Sequence, residues 1–119
     1  MKERSKNFYN ELGNKIYNVM VSKYTNITGF TKAGSREKGN FKRKSDLDIR
    51  FCMSGDPKRI IFYPKLEEYL SETLPDFNGE NLRYEIGEEG NVIHVYPANG
   101  GKVDIALLTE SEYNRQEGN

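Results

Sequence analysis

Three aspartates give this chain its most specific chemical signal. Asp46 and Asp48 stand two apart in residues 46–53, where apolar and polar types alternate. Leu47, Ile49, Phe51 and Met53 fall on one side; Asp46, Asp48, Arg50 and Cys52 fall on the other. That is the period of a strand with one face on a core. Both carboxylates then project from the same face, a few ångströms apart. Like charges held that closely repel unless a cation neutralises them. Hard divalent ions such as Mg²⁺ take oxygen ligands, usually one or two carboxylates completed by substrate phosphates. Asp104 offers a third carboxylate in residues 102–108, where Val103, Ile105 and Leu107 form the apolar side. If the two strands are neighbours, three carboxylates converge on one polar face. The plainer alternative is a solvated face that happens to hold three aspartates, and the poor fit of Asp to strand interiors weighs against it.

Gly34-Ser35 stands twelve residues before Asp46, at the end of a short β-branched and aromatic stretch, residues 27–33. Glycine lets the backbone turn sharply and approach a ligand, and the following N–H groups with the Ser35 hydroxyl can cradle phosphate oxygens. Gly39 permits a second tight turn. Two common motifs are excluded by inspection. The Gly34-to-Gly39 spacing copies a P-loop, but Asn40-Phe41 stand where Lys and Ser/Thr are required. An EF-hand needs an oxygen ligand where Arg50 stands and a glycine where Phe51 stands.

The elements that position these residues follow from periodicity. Phe8, Leu12, Ile16, Val19 and Met20 form one face of an amphipathic helix within residues 3–24. Pro64 is suited to open a second helix striped by Leu66, Tyr69, Leu70 and Leu74, with Pro75 ending it. Residues 82–86, 92–96 and 102–108 read as three strands after those at 27–33 and 46–53. Asn99-Gly100-Gly101 is the expected hairpin between the last two. The order implies an α/β or α+β domain, a mixed β-sheet with helices on one face. Residues 109–119 read as a frayed polar tail after a domain spanning 1–108.

Of the 119 residues, 35% are hydrophobic and 30% charged, enough for one modest core. No run approaches a membrane span and no basic-then-apolar leader opens the chain, so a cytoplasmic protein without membrane association is expected. Cys52 is the sole cysteine, which excludes an intrachain disulfide and reads as a small filler. Charge is divided: residues 1–60 hold 14 Lys/Arg against 6 Asp/Glu, residues 61–119 hold 4 against 12. That asymmetry suggests a basic site for an anionic ligand more than a uniformly basic nucleic-acid binder. His94, the single histidine, shares its side of a strand with Val92 and Tyr96 and reads as a packed or half-exposed residue. Tyr84 and Tyr96 are candidates to stack a base, although core and strand roles suit them better.

Taken together, Gly34-Ser35, Gly39, Ser45-Asp46-Leu47-Asp48-Ile49 and Val103-Asp104-Ile105 resemble the DNA polymerase β-type nucleotidyltransferase superfamily, over residues 27–108. Gly39 is followed by Asn40 where many members have Thr. The resemblance implies a nucleotidyltransferase fold in which Asp46 and Asp48 bind two Mg²⁺ ions (Mn²⁺ as a substitute), Asp104 completes the site, and Gly34 and Ser35 hold the triphosphate. Arg36, Lys38, Lys42, Arg43 and Lys44 would add positive charge around it. The implied reaction moves a nucleoside monophosphate from an NTP to a hydroxyl acceptor and releases pyrophosphate. RNA, a protein tyrosine and a small molecule all remain open as acceptors. Larger relatives carry a helical domain for base and acceptor; here self-association, a partner chain or a lost C-terminal domain is expected to supply that second wall. The rival expectation is a non-catalytic nucleotide- or partner-binding module retaining the fold.

Overall fold

A computed structural model describes residues 7–33, 47–55 and 59–117. Helix α1 (Phe8–Lys23) buries Phe8, Leu12, Ile16, Val19 and Met20, the five residues that its periodicity selects. Gly13, an unfavourable residue for a helix, has a packing reason. A Cβ there would stand 3.2 Å from the Leu47 side chain, so glycine lets α1 settle onto the sheet.

Among the described residues the six strands are β1 (Ile27–Ala33), β2 (Leu47–Met53), β3 (Asp76–Phe77), β4 (Glu80–Ile86), β5 (Val92–Pro97) and β6 (Val103–Thr109). They lie in the order β1-β2-β6-β5-β4-β3. Only β2 and β6 pair in parallel; the remaining neighbours are antiparallel. The fold is therefore a mixed α+β arrangement. Ile49, Ile105 and Ile93 are successive register partners across three strands, and all three are fully buried beneath the helices.

Helix α2 (Arg59–Thr73) packs beside α1, and Tyr69 Oη donates to the Val19 carbonyl at 2.8 Å. It begins five residues before Pro64, which thus lies inside the helix and does not open it. Proline there supplies no N–H to the preceding turn, while its fixed φ remains helical. From the same helix, buried Tyr63 repairs the sheet. β5 pairs with β6 only as far as Val92 opposite Ala106. The next β6 amide, Leu107 N–H, donates to Tyr63 Oη at 2.9 Å, and that hydroxyl donates onward to the Asn91 carbonyl at 2.7 Å. Tyr84, whose hydroxyl donates to the Leu74 carbonyl at 2.6 Å, has its pKa pushed up by burial.

Three expectations need correction. The β3–β4 hairpin was not expected, yet Asn78-Gly79 is its two-residue turn, with both residues at positive φ as a type I′ turn requires. Residues 110–116 do not fray. They form α3 (Glu110–Gln116), started by a capping box: the Glu112 amide donates to Thr109 Oγ1 and the Thr109 amide donates to Glu112 Oε1. Finally, the helices are not confined to one face. α3 lies on the side opposite α1 and α2. There Tyr113 bonds Thr31 through its hydroxyl, and Arg50 pairs with Glu117 at 3.1 Å. Gly29 makes room for it, since a Cβ there would stand 3.1 Å from Cys52 Cβ and 3.2 Å from the Tyr113 ring. Cys52 and Leu108, which alternation directs to this face, are consequently buried. Among the described residues no helix is long and apolar enough to cross a membrane.

Candidate functional site

The site rests on strand register. Alternation along β2 points Asp48 away from buried Leu47 and Ile49, and alternation along β6 does the same for Asp104 between Val103 and Ile105. The parallel β2–β6 ladder makes Asp48 and Asp104 direct partners, although 56 residues separate them. Ladder strands lie about 4.8 Å apart, so the two carboxylates arise side by side on the polar face. The row continues in both directions. Ala33 of β1 is opposite Asp48, His94 of β5 is opposite Asp104, and Glu85 of β4 is opposite His94.

Asp104 is held by two neighbours. Its Oδ1 lies 2.6 Å from His94 Nδ1, and its Oδ2 lies 3.6 Å from Lys102 Nζ. An ionised carboxylate only accepts, so Nδ1 carries the proton of this bond. Both side chains are about three-quarters buried, His94 25% exposed and Asp104 22%. On the far side of His94 lies a depression of about 460 Å³, whose lining includes Glu85, Gly87, Asn91, His94 and Tyr96. Arg83 stacks on the Tyr96 ring at 4.3 Å and pairs with Glu85 at 2.5 Å, so this rim is engaged by its own neighbours.

Of the residues proposed from sequence, the structure brings Asp48 and Asp104 together. Asp46, Gly34, Ser35, Arg36, Lys38 and Lys44 lie outside the described residues, as do Gly39, Asn40, Lys42 and Arg43. Among the described residues no three His, Cys, Asp or Glu side chains form a metal-holding group. The chemistry of Asp48 and Asp104 nevertheless suits a hard divalent cation: two adjoining carboxylates on a partly exposed face, with phosphate oxygens and water needed to complete the shell.

Sequence reasoning placed His94 on the correct face, beside Val92 and Tyr96, but did not find its bond to Asp104. The available signal was hairpin arithmetic across residues 98–102. With five residues between β5 and β6, and the Gly100 amide donating to the Pro97 carbonyl at 3.0 Å within them, residues 94 and 104 are opposite each other. A turn two residues longer or shorter would keep the apolar side chains on the same face but separate residues 94 and 104.

No protein-family model matches this sequence, and no curated protein matches it significantly.

Proposed function

We propose that this chain is a Mg²⁺-dependent nucleotidyltransferase of the DNA polymerase β type, moving a nucleoside monophosphate from an NTP to a hydroxyl acceptor. The observation that carries the reading is the register pairing of Asp48 with Asp104 on one polar face. With Asp46 two positions before Asp48 and Gly34-Ser35 upstream, the pair completes the sequence signature that the superfamily shares. An accidental polar face has no reason to place the third aspartate of that signature opposite the second.

Asp46, Asp48 and Asp104 would hold two Mg²⁺ ions, which when bound activate the acceptor hydroxyl and stabilise the departing pyrophosphate oxygens. The protein's own part is positional. β2 presents the Asp48 carboxylate from a rigid ladder, and β6 presents Asp104 beside it. Gly34, Ser35 and the basic residues Arg36, Lys38 and Lys44 would bind the triphosphate, in keeping with the positive charge concentrated in residues 1–60.

The test is incubation of the full chain with Mg²⁺ and each labelled NTP, measuring pyrophosphate release and label transfer against candidate RNA, protein and small-molecule acceptors. Pyrophosphate release that disappears in Asp48→Asn supports transfer. Metal-dependent NTP binding with no turnover against any acceptor class would identify the chain as a non-catalytic nucleotide-binding module.

A further inference from the structure

We infer that His94 is a positioning residue for Asp104: it holds Oδ1 of that carboxylate and thereby reserves Oδ2 for a divalent cation. This rests on the nucleotidyltransferase reading above, since Asp104 must be a metal carboxylate for its orientation to matter.

The argument begins with the ring itself. His94 and Asp104 are register partners on adjoining antiparallel strands, so their side chains leave the sheet in parallel. Nδ1 donates to Oδ1 at 2.6 Å, a short charge-assisted bond. The ring is also confined on its other side. A Cβ at Gly87 would stand 3.0 Å from His94 Nε2 and 3.6 Å from Cδ2, so glycine at this position is what makes space for the imidazole. Gly87 is itself fixed, its amide donating to the Val92 carbonyl at 2.8 Å. Thus the imidazole is bracketed between Asp104 and the chain leaving β4, with little freedom to rotate.

A carboxylate anchored through one oxygen has its plane and its second oxygen set. Oδ2 of Asp104 lies 3.6 Å from Lys102 Nζ, long for a hydrogen bond but within ion-pair reach. The ammonium therefore stands where positive charge is wanted, and a metal ion can take the oxygen without breaking the His94 bond. Hydrogen-bond partners of metal-ligating groups commonly contribute 10–100-fold to metal affinity or activity, and His94 is in the position to do so.

The experiment measures Mn²⁺ affinity by electron paramagnetic resonance, and NTP turnover, in full-length variants. His94→Leu keeps bulk but removes the donor. It is expected to weaken Mn²⁺ about 10-fold or more and to lower kcat by a similar factor, with KM for NTP nearly unchanged. His94→Asn, whose amide Nδ2 can reach the place of Nδ1, should recover most of both. Gly87→Ala, which displaces the ring and leaves His94 present, should reproduce part of the Leu defect and decides the matter if His94→Leu does not fold. Equal losses in the Leu and Asn variants would overturn positioning through the hydrogen bond. Mn²⁺ binding abolished by Asp48→Asn but untouched by His94→Leu would overturn the role of His94 and leave the nucleotidyltransferase reading standing. Absence of Mn²⁺ binding in the wild-type chain, or binding indifferent to Asp48→Asn, would overturn both.

Discussion

The polar faces of β2 and β6 have two ends, and the two are built on opposite principles. At the end containing Cys52 and Leu108, α3 closes over the sheet, Gly29 admits the Tyr113 ring, and both residues are buried. At the other end the same strands carry Asp48 and Asp104 side by side, still partly exposed, with no helix over them among the described elements. The first end removes apolar surface from water and so stabilises the fold. The second sets two carboxylates side by side, an arrangement that like-charge repulsion disfavours, with His94 and Lys102 against Asp104. One pair of strands thus carries a buried apolar end and a partly exposed carboxylate end.

The sharpest way to break this comparison is to neutralise the charged end. Asp48→Asn should lower nucleotide transfer by more than about 100-fold, beyond what indirect partners of a metal usually contribute, while circular dichroism remains native. Transfer within a few-fold of wild type would show that the open end is merely solvated.

The supporting end is tested through its hydrogen bonds. Tyr63→Phe leaves the Leu107 amide and the Asn91 carbonyl without their shared hydroxyl. Unfolding in urea should report a loss of about 1–3 kcal/mol, the range for stranded buried polar groups. An unchanged midpoint would mean that water or a shift of β5 replaces the phenol.

Thr109→Ala removes the cap of α3 and should cost about 1 kcal/mol. Because α3 lies on the face where Cys52 is buried, the same variant should speed the reaction of this lone thiol with a disulfide reagent. Thiol kinetics identical to wild type would separate the helix from the burial of that end.

The smallest effect sharpens the comparison most. In metal-free buffer Asp48→Asn should raise stability by about 0.2–1 kcal/mol, the scale of a like-charge cross-strand contact relieved. Mg²⁺ should then stabilise wild type and leave the variant unmoved. A variant less stable than metal-free wild type would show that partners of Asp48 already offset the repulsion.

Much of this architecture was legible in the residues because it follows from local geometry. The period of two put Asp48 opposite Ile49 in direction, and the period near 3.6 selected the buried face of α1. Both hold whatever the chain packs against. Two local signals were present but outweighed: Asn78-Gly79 fell between an expected helix end and the strand at 82–86, and Thr109-x-x-Glu112 lay in a polar stretch with no apolar face to recommend it. The start of α2 was misplaced because Pro64 suits a first turn best when read alone. Residue order along each segment therefore specifies which of its side chains share a face.

Tertiary structure alone decided which segments meet. The parallel seating of β6 against β2, with 104 opposite 48, comes from chain that leaves β2, builds α2 and three strands, and returns. The bond between His94 and Asp104 depends on a turn length that apolar patterning does not specify. α3 seats on the polar face where Gly29 leaves room for the Tyr113 ring and Cys52 and Leu108 are buried, a fit made by residues of three separate strands. Side-chain direction is a property of each residue's own backbone, whereas register and coverage are settled by contacts between residues far apart in the chain.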